Sequence, residues 1–369
     1  MKLNRLVPWA AGSILALTLA ACSGSGAGGG EVEDKSDVPK EDLVVGVAMP
    51  TQSMQRWLDD GNHMKGQLED EGYTVDLQYA EDDIPTQVSQ IENMVTQEVD
   101  VLVIASIDGS ALSSALDNAA DAGIPVIAYD RLIRDSEHVD YYTTFDNYEV
   151  GQIQGKYIEE ALDLENEDGP FNIEVFGGSP DDNNASFFWD GAMDVIEPYI
   201  EDGTLEVPSG QTEFEQAAIM RWEPSTAQER MDNLMSGSYS NEELDAVLSP
   251  NDSVALGIVA SLESLGYGSG QDFPIITGQD ADKANVRNII EGKQTMSVFK
   301  DTRSLAKQAV NMVDSILSGE DPEINDTETY DNGDKVVPSY LLDPHEVDAD
   351  NYEELLIESG YYSEEDLED

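Results

Sequence analysis

The amino-acid sequence predicts an α/β fold of two lobes, each a parallel sheet with helices on both faces. Three observations predict it. Short continuous apolar runs recur, as strands buried on both faces require. Segments with apolar residues at helical spacing alternate with those runs. The alternation then restarts after Phe145, giving two series of similar make-up.

The first series opens with LVVGVAM at residues 43–49, a buried strand. A helix is expected over 54–71, ended by Gly72. Residues 75–80 alternate as a strand, and Ile84, Val88, Ile91, Met94 and Val95 have helical spacing. Residues 101–105 form a third strand, 111–122 a helix stopped by Gly123, and 124–129 a fourth strand. In the second series strands are expected at 171–176, 205–207, 246–248, 274–277 and 295–299. Helices at 148–162, 184–200, 226–235, 254–265 and 284–291 fit between or before them, and an amphipathic helix at 305–317 follows.

The N-terminal stretch carries Lys2 and Arg5 and then an apolar run at 14–21, too short to span a bilayer and ending in small residues. That is the pattern of an export signal. The string Leu19-Ala20-Ala21-Cys22 resembles the bacterial lipobox, whose cysteine is acylated, and Cys22 is the single cysteine of the 369 residues. Residues 1–21 are therefore read as a lipoprotein signal peptide. Residues 22–42, rich in Gly and Ser at their start, are read as a tether with a reach of about 25 Å. Attachment at the outer face of the cell membrane is the expected location.

The chain has 18 basic and 77 acidic residues, a net charge of −59. Such a surface repels nucleic acid and anionic lipid, so no nucleic-acid partner is expected. The charge fits an acidic exported protein in general. It also fits a saline setting, where a Debye length of about 3 Å at 1 M screens self-repulsion. Composition does not separate the two.

Enzyme chemistry finds little support. His63, His138 and His345 are far apart in sequence and lack metal-ligand spacing. There is no Gly-x-x-x-x-Gly-Lys-Ser/Thr loop and no Gly-x-Ser-x-Gly elbow. Residues 163–174 carry acids at spacings like a calcium loop, but Gly169 falls one place late. No metal, no cofactor and no catalytic residue is expected, although Asp130 and Asp280 could in principle pair as the carboxylates of a carbohydrate enzyme.

Open parallel sheets bind ligands beyond the carboxyl ends of their strands. Here those ends are polar: Pro50-Thr51-Gln52, Ser106-Ile107-Asp108, Asp130-Arg131, Gly178-Ser179-Pro180-Asp181, Pro250-Asn251-Asp252, Gln279-Asp280 and Lys300-Asp301. Two lobes with such ends facing each other enclose carboxylate acceptors, cationic donors and amides that do both, the set that sugar hydroxyls need. Trp222, Phe187, Phe188 and Trp57 are candidate plates for the apolar face of a sugar ring. Each single carboxylate could instead be a helix N-cap, and Trp222 could instead be core, packed against Met220 or Met231.

Longer strings carry a resemblance. They include Val47-Ala48-Met49-Pro50-Thr51 with Arg56-Trp57, Ile104-Ala105-Ser106-Ile107-Asp108-Gly109, and Ala128-Tyr129-Asp130-Arg131-Leu132-Ile133. Further on come Phe176-Gly177-Gly178-Ser179-Pro180-Asp181-Asp182-Asn183-Asn184, Arg221-Trp222, Gly278-Gln279-Asp280-Ala281 and Phe299-Lys300-Asp301-Thr302-Arg303. On these residues the sequence resembles the type I periplasmic sugar-binding proteins of ABC importers, in their multiple-monosaccharide and xylose-binding (ChvE-like) branch. The resemblance covers nearly all of residues 43–367.

It implies two Rossmann-like lobes joined by a three-segment hinge, with crossings near Tyr141, Lys300 and Val336. The first lobe would comprise 43–140 plus 300–335 and the second 141–299 plus 336–369. It also implies the ligand contacts: Arg56, Asp108, Asp130 and Arg131 from the first lobe, and Asp181, Asn184, stacking Trp222, Asn251 and Asp280 from the second. Lys300 stands at a crossover where related glucose/galactose receptors have an amide. The implied function is capture of a monosaccharide by hinge closure and delivery to an ABC permease and its ATPase, by a monomer. The alternative is a sensor that presents the sugar to a membrane signalling partner.

Overall fold

The computed structural model describes residues 34–167 and 169–368. The signal peptide, Cys22 and the Gly/Ser run lie outside them. Six strands form the first sheet: β1 (Val44–Met49), β2 (Thr74–Tyr79), β3 (Val101–Ile104), β4 (Val126–Tyr129), β5 (Tyr141–Phe145) and β11 (Ser339–Leu342). Their order is β11-β5-β4-β3-β1-β2 and every pairing is parallel. The helices α1 (Gln55–Glu71), α2 (Ile84–Thr96), α3 (Ser113–Asp121) and α10 (Thr302–Leu317) flank it. The period of two along β1 divides the core. Val45, Val47 and Met49 join the apolar faces of α1 and α10, while Ala48 joins those of α2 and α3.

The second lobe holds β6 (Phe171–Val175), β7 (Leu205–Glu206), β8 (Ala246–Leu248) and β9 (Ile275–Ile276), parallel in the order β7-β6-β8-β9. Beside it β10 (Met296–Phe299) pairs antiparallel with β12 (His345–Asp348). Its helices are α4 (Asn147–Ala161), α5 (Asn184–Asp202), the short α6 (Phe214–Ala217), α7 (Pro224–Gly237), α8 (Asp252–Ser264), α9 (Lys283–Ile290) and the short α11 (Glu364–Leu367). Helices α4 and α5 touch backbone to backbone. A Cβ added at Gly151 would meet the Phe188 carbonyl at 2.1 Å, and one at Gly191 the Tyr148 carbonyl at 2.1 Å.

The lobe boundaries differ from the expectation. Strand β5 pairs with β4 through Ile127 and Tyr141, and β11 pairs with β5 through Ser339 and Tyr142, so both belong to the first sheet. The crossings therefore follow Phe145 and Leu342, later than the boundaries near Tyr141 and Val336. The third lies at Lys300, between β10 and α10. Residues 34–42 also depart from a free tether. The Lys35 ammonium reaches Asp100 at 2.5 Å, the Lys35 backbone N–H donates to the Leu317 carbonyl at 3.0 Å, and Lys40 pairs with Asp314. Two of the few cations thus hold this segment against the first lobe.

Candidate ligand-binding site

The strand ends of the two lobes meet around a small cavity lined by side chains from both lobes. One side is built on α1. Arg56 stands one turn before Asp60, and its Nε donates to that carboxylate. The same guanidinium donates to Asp130 Oδ1 at 2.5 Å and, across the lobes, to Asp280 Oδ1 at 3.0 Å. Lys300, at the hinge crossing, lies 3.0 Å from Asp280 and 4.0 Å from Asp130. Arg131 stacks 4.9 Å above the Trp57 ring and lies 2.9 Å from Asp182 as an ion pair. From the second lobe, Asn184 donates to the Asp130 carbonyl at 2.6 Å and accepts from Tyr142 Oη at 3.1 Å. All these side chains are buried apart from the cavity they share.

Opposed charges decide the ionisation. Burial would raise the Asp130 carboxyl, but Arg56, Lys300 and Arg131 outweigh it and hold it below the ordinary range. Burial pushes Asp60 up to about 6 despite Arg56. Asp182 is also raised by burial, with Arg131 opposing. Backbone strain gathers here as well: Asp130, Arg221, Trp222, Asp280 and Ala281 have φ of 60°, 56°, 58°, 98° and 52°. Left-handed backbone in non-glycine residues is uncommon and concentrates at ligand clamps.

Of the residues expected at the site, Arg56, Asp130, Arg131, Asn184, Trp222, Asn251, Asp280 and Lys300 line the cavity. Asn251 does so while also capping α8, accepting from the Val254 N–H at 3.0 Å, so here the cap and the wall are one residue. Two expectations fail. Asp108 is turned into its own loop, accepting from the Ser110 N–H at 2.9 Å. Asp181 accepts from the Ser179 hydroxyl, and its neighbour Asp182 takes the cavity position. Phe187 packs on Tyr330 at 5.1 Å, away from the site, while Phe188 and Trp57 face it. Trp222 belongs to the second lobe's apolar core and to the cavity wall together, edge-on to Phe188 at 6.2 Å.

Sequence reading missed Gln279, Ser253 and Asp282, which also line the cavity. Gln279 and Asp282 adjoin Asp280 and Ala281, so the polar strand end was the available signal. Burial raises the Asp282 carboxyl, helped by Asp280 and Asp59 and opposed by Arg56 and Lys300. Its N–H donates to the Asp252 carboxylate at 2.8 Å, itself raised by burial and by Asp282. A raised carboxyl keeps its proton longer in the folded state. Stability is then present at low pH and declines as pH rises from the ordinary carboxylate range towards the raised value. Asp282→Asn is expected to match the parent near pH 4 and to exceed it at alkaline pH by about 1–3 kcal/mol. Urea midpoints across pH check this; parallel curves for the two proteins would refute it.

The profile of the family described as "Periplasmic binding protein domain" matches residues 45–321. The multiple sugar-binding periplasmic receptor ChvE of Rhizobium radiobacter is 57% identical over 325 residues, 88% of this chain and 92% of its own length. The D-xylose-binding periplasmic protein of Escherichia coli K12 is 36% identical, covering 89% of this chain and 93% of its own. A crystal structure of an ABC transporter solute-binding protein from Clostridium phytofermentans, with bound β-D-glucose, superposes with a TM-score of 0.86 at 55% identity, covering 88% of this chain and 100% of that one. Shared sequence and fold place this chain in the periplasmic binding protein family, within the branch of the multiple sugar-binding receptors.

Proposed function

We propose that the protein captures a monosaccharide, an aldopentose or aldohexose such as xylose, glucose or galactose, by closing its lobes, and passes it to an ABC permease. The observation that carries this reading is the cavity wall: paired carboxylates and cations from both lobes, an amide pair at Asn184 and Asn251, and the Trp222 indole. Hydroxyls of a sugar can accept from the cations and donate to the carboxylates, and charge-assisted bonds are the stronger ones. The named sugar receptors among its relatives and the glucose held by the Clostridium protein support the ligand class. The wall is set up to bind and release, so labelled sugar should be recovered unchanged.

Calorimetry with glucose, galactose, xylose, arabinose and ribose tests the reading, and absence of binding to all five would end it. Arg131→Ala and Asp280→Ala are each expected to weaken binding by about 2–4 kcal/mol, since each leaves charged partners unpaired in a closed cavity. Asp121→Ala, exposed at the end of α3, should leave affinity unchanged. If the three behave alike, the cavity is not the site. The same proposal includes lipid attachment at Cys22. Intact protein should partition into detergent and Cys22→Ala protein into water, with equal sugar affinity. Stable anchoring needs two or more acyl chains, because one holds only marginally.

A further inference from the structure

Ligand receptors of two lobes must hold their closed form long enough to hand over the ligand. Most of the cross-lobe bonds described above lie inside the cavity, where ligand itself sits. Among the cross-lobe bonds outside it is one made by Arg221. Arg221, on the turn Met220–Trp222 between α6 and α7, is exposed and does not line the cavity. Its guanidinium Nη1 donates across the mouth of the cleft to the backbone carbonyl of Asp82, in the turn that follows β2 of the first lobe. That turn is Glu81-Asp82-Asp83, and the Arg221 charge acts on both the Asp82 and Asp83 carboxylates.

Two features make this contact more than a surface pair. The first is rigidity. Arg221 and Trp222 are consecutive left-handed residues, and their turn is fixed by the Arg221 N–H donating to Ser179 Oγ at 2.7 Å and the Trp222 N–H to the Ile219 carbonyl at 3.1 Å. On the other side, the Asp82 N–H donates to the Pro50 carbonyl at 3.0 Å. The indole that walls the cavity and the guanidinium that spans its mouth are thus parts of one rigid turn. The second is charge. With 77 acidic residues against 18 basic ones, the chain repels itself when its lobes approach, and a cation at the rim offsets that repulsion where the lobes come closest.

We propose that Arg221 is a positioning residue for ligand retention: a clasp that slows reopening of the closed cleft without touching the ligand. The proposal rests on the reading that the cleft closes around a sugar. Because the acceptor is a backbone carbonyl, the clasp is indifferent to which sugar is held, and its loss should shorten residence equally for every ligand.

The test is stopped-flow fluorescence with D-glucose on the parent protein, Arg221→Ala and Arg221→Lys, at about 0.01 M and about 1 M sodium chloride. At low salt Arg221→Ala is expected to dissociate about five- to tenfold faster, with an association rate within about twofold of the parent. Arg221→Lys should recover most of the loss, and high salt should shrink the difference, because both the clasp and the repulsion are screened. A dissociation rate within about twofold of the parent at low salt would overturn the clasp. So would an increase that neither lysine nor salt alters, which marks local damage to the Trp222 turn. Failure of the parent to bind glucose would count against the sugar reading alone. The clasp is then read without ligand, from electron spin distances between labels at the exposed positions Gln97→Cys and Asn233→Cys on a Cys22→Ala background. A closed population equal with and without the Arg221→Ala substitution would overturn it there too.

Discussion

Arg56→Ala is expected to abolish ligand binding and to destabilise the ligand-free protein by about 3–5 kcal/mol, the range for leaving buried charges without their partner. Arg56 is 6% exposed and serves three carboxylates, Asp60, Asp130 and Asp280. Asp60 is fully buried, and the Tyr129 hydroxyl donates to it, but no cation other than Arg56 bonds it among the described residues. Without Arg56, buried Asp60 keeps Asp130 as a like-charged neighbour and has no cation to offset it, and proton uptake becomes the way out. The loss should therefore be largest at neutral pH and smaller in acid, where the carboxyls are already protonated. Arg56→Met, which fills the volume, should recover little, showing that charge and not packing is missing. Urea unfolding of ligand-free protein at both pH values is the measurement. Unchanged neutral-pH stability with binding alone lost would show that the carboxylates do not depend on Arg56.

The second large effect is expected from a single added methyl group. A Cβ at Gly178 would stand 2.1 Å from Cη2 of Trp222, and 2.6 and 2.7 Å from Cζ3 and Cζ2. The six-membered ring of the indole therefore rests on a bare backbone. Gly178→Ala must push that ring towards the cavity, so sugar affinity should fall about 100-fold or more. The stability cost should be the 1–3 kcal/mol or so of an overpacked site. Trp222→Ala acts differently. It removes a core side chain and a cavity wall together, costing about 3–5 kcal/mol of stability as well as binding. The pair of variants separates the two roles of Trp222. Its emission should also change when sugar closes the lobes, read in a protein with Trp57→Phe and Trp189→Phe. Gly178→Ala protein that binds with full affinity would show that the indole does not wall the site.

Legibility in the sequence followed local periodicity. Apolar runs such as 101–105 and 124–129 announced β3 and β4, and their polar ends delivered Asp130 and Arg131 to the site. Strand β5 escaped because Tyr141-Tyr142-Thr143-Thr144-Phe145 is neither an apolar run nor an alternation, although Thr143 and Thr144 are fully buried. Thr144 spends its hydroxyl on the Asp130 carbonyl at 2.9 Å, a long-range bond with no signature in sequence. Strand β12 reads His345-Glu346-Val347-Asp348, an edge whose pairing is set by β10 alone. The slip from Asp182 to Asp181 arose where the chain leaves β6 for an irregular stretch, in which Gly177 bridges to Ala218 and no period sets which way a side chain faces. Asp60 was within reach: it stands four residues after Arg56 on one helix, the spacing at which opposite charges meet.

The position of β11 at the edge of the first sheet has a consequence for how the chain is made. Synthesis delivers β1 to β5 first, but α10, which covers one face of that sheet, and β11, which covers its edge, arrive after more than 300 residues. Until then Val45, Val47 and Val103 lack the apolar face of Leu305, Ala309 and Val313, and β5 presents an unpaired edge. The first sheet is therefore complete only once the chain has reached β11. Both lobes take a late strand, β11 in the first and β12 in the second, from the C-terminal part of the chain, and such long-range pairing favours slow folding.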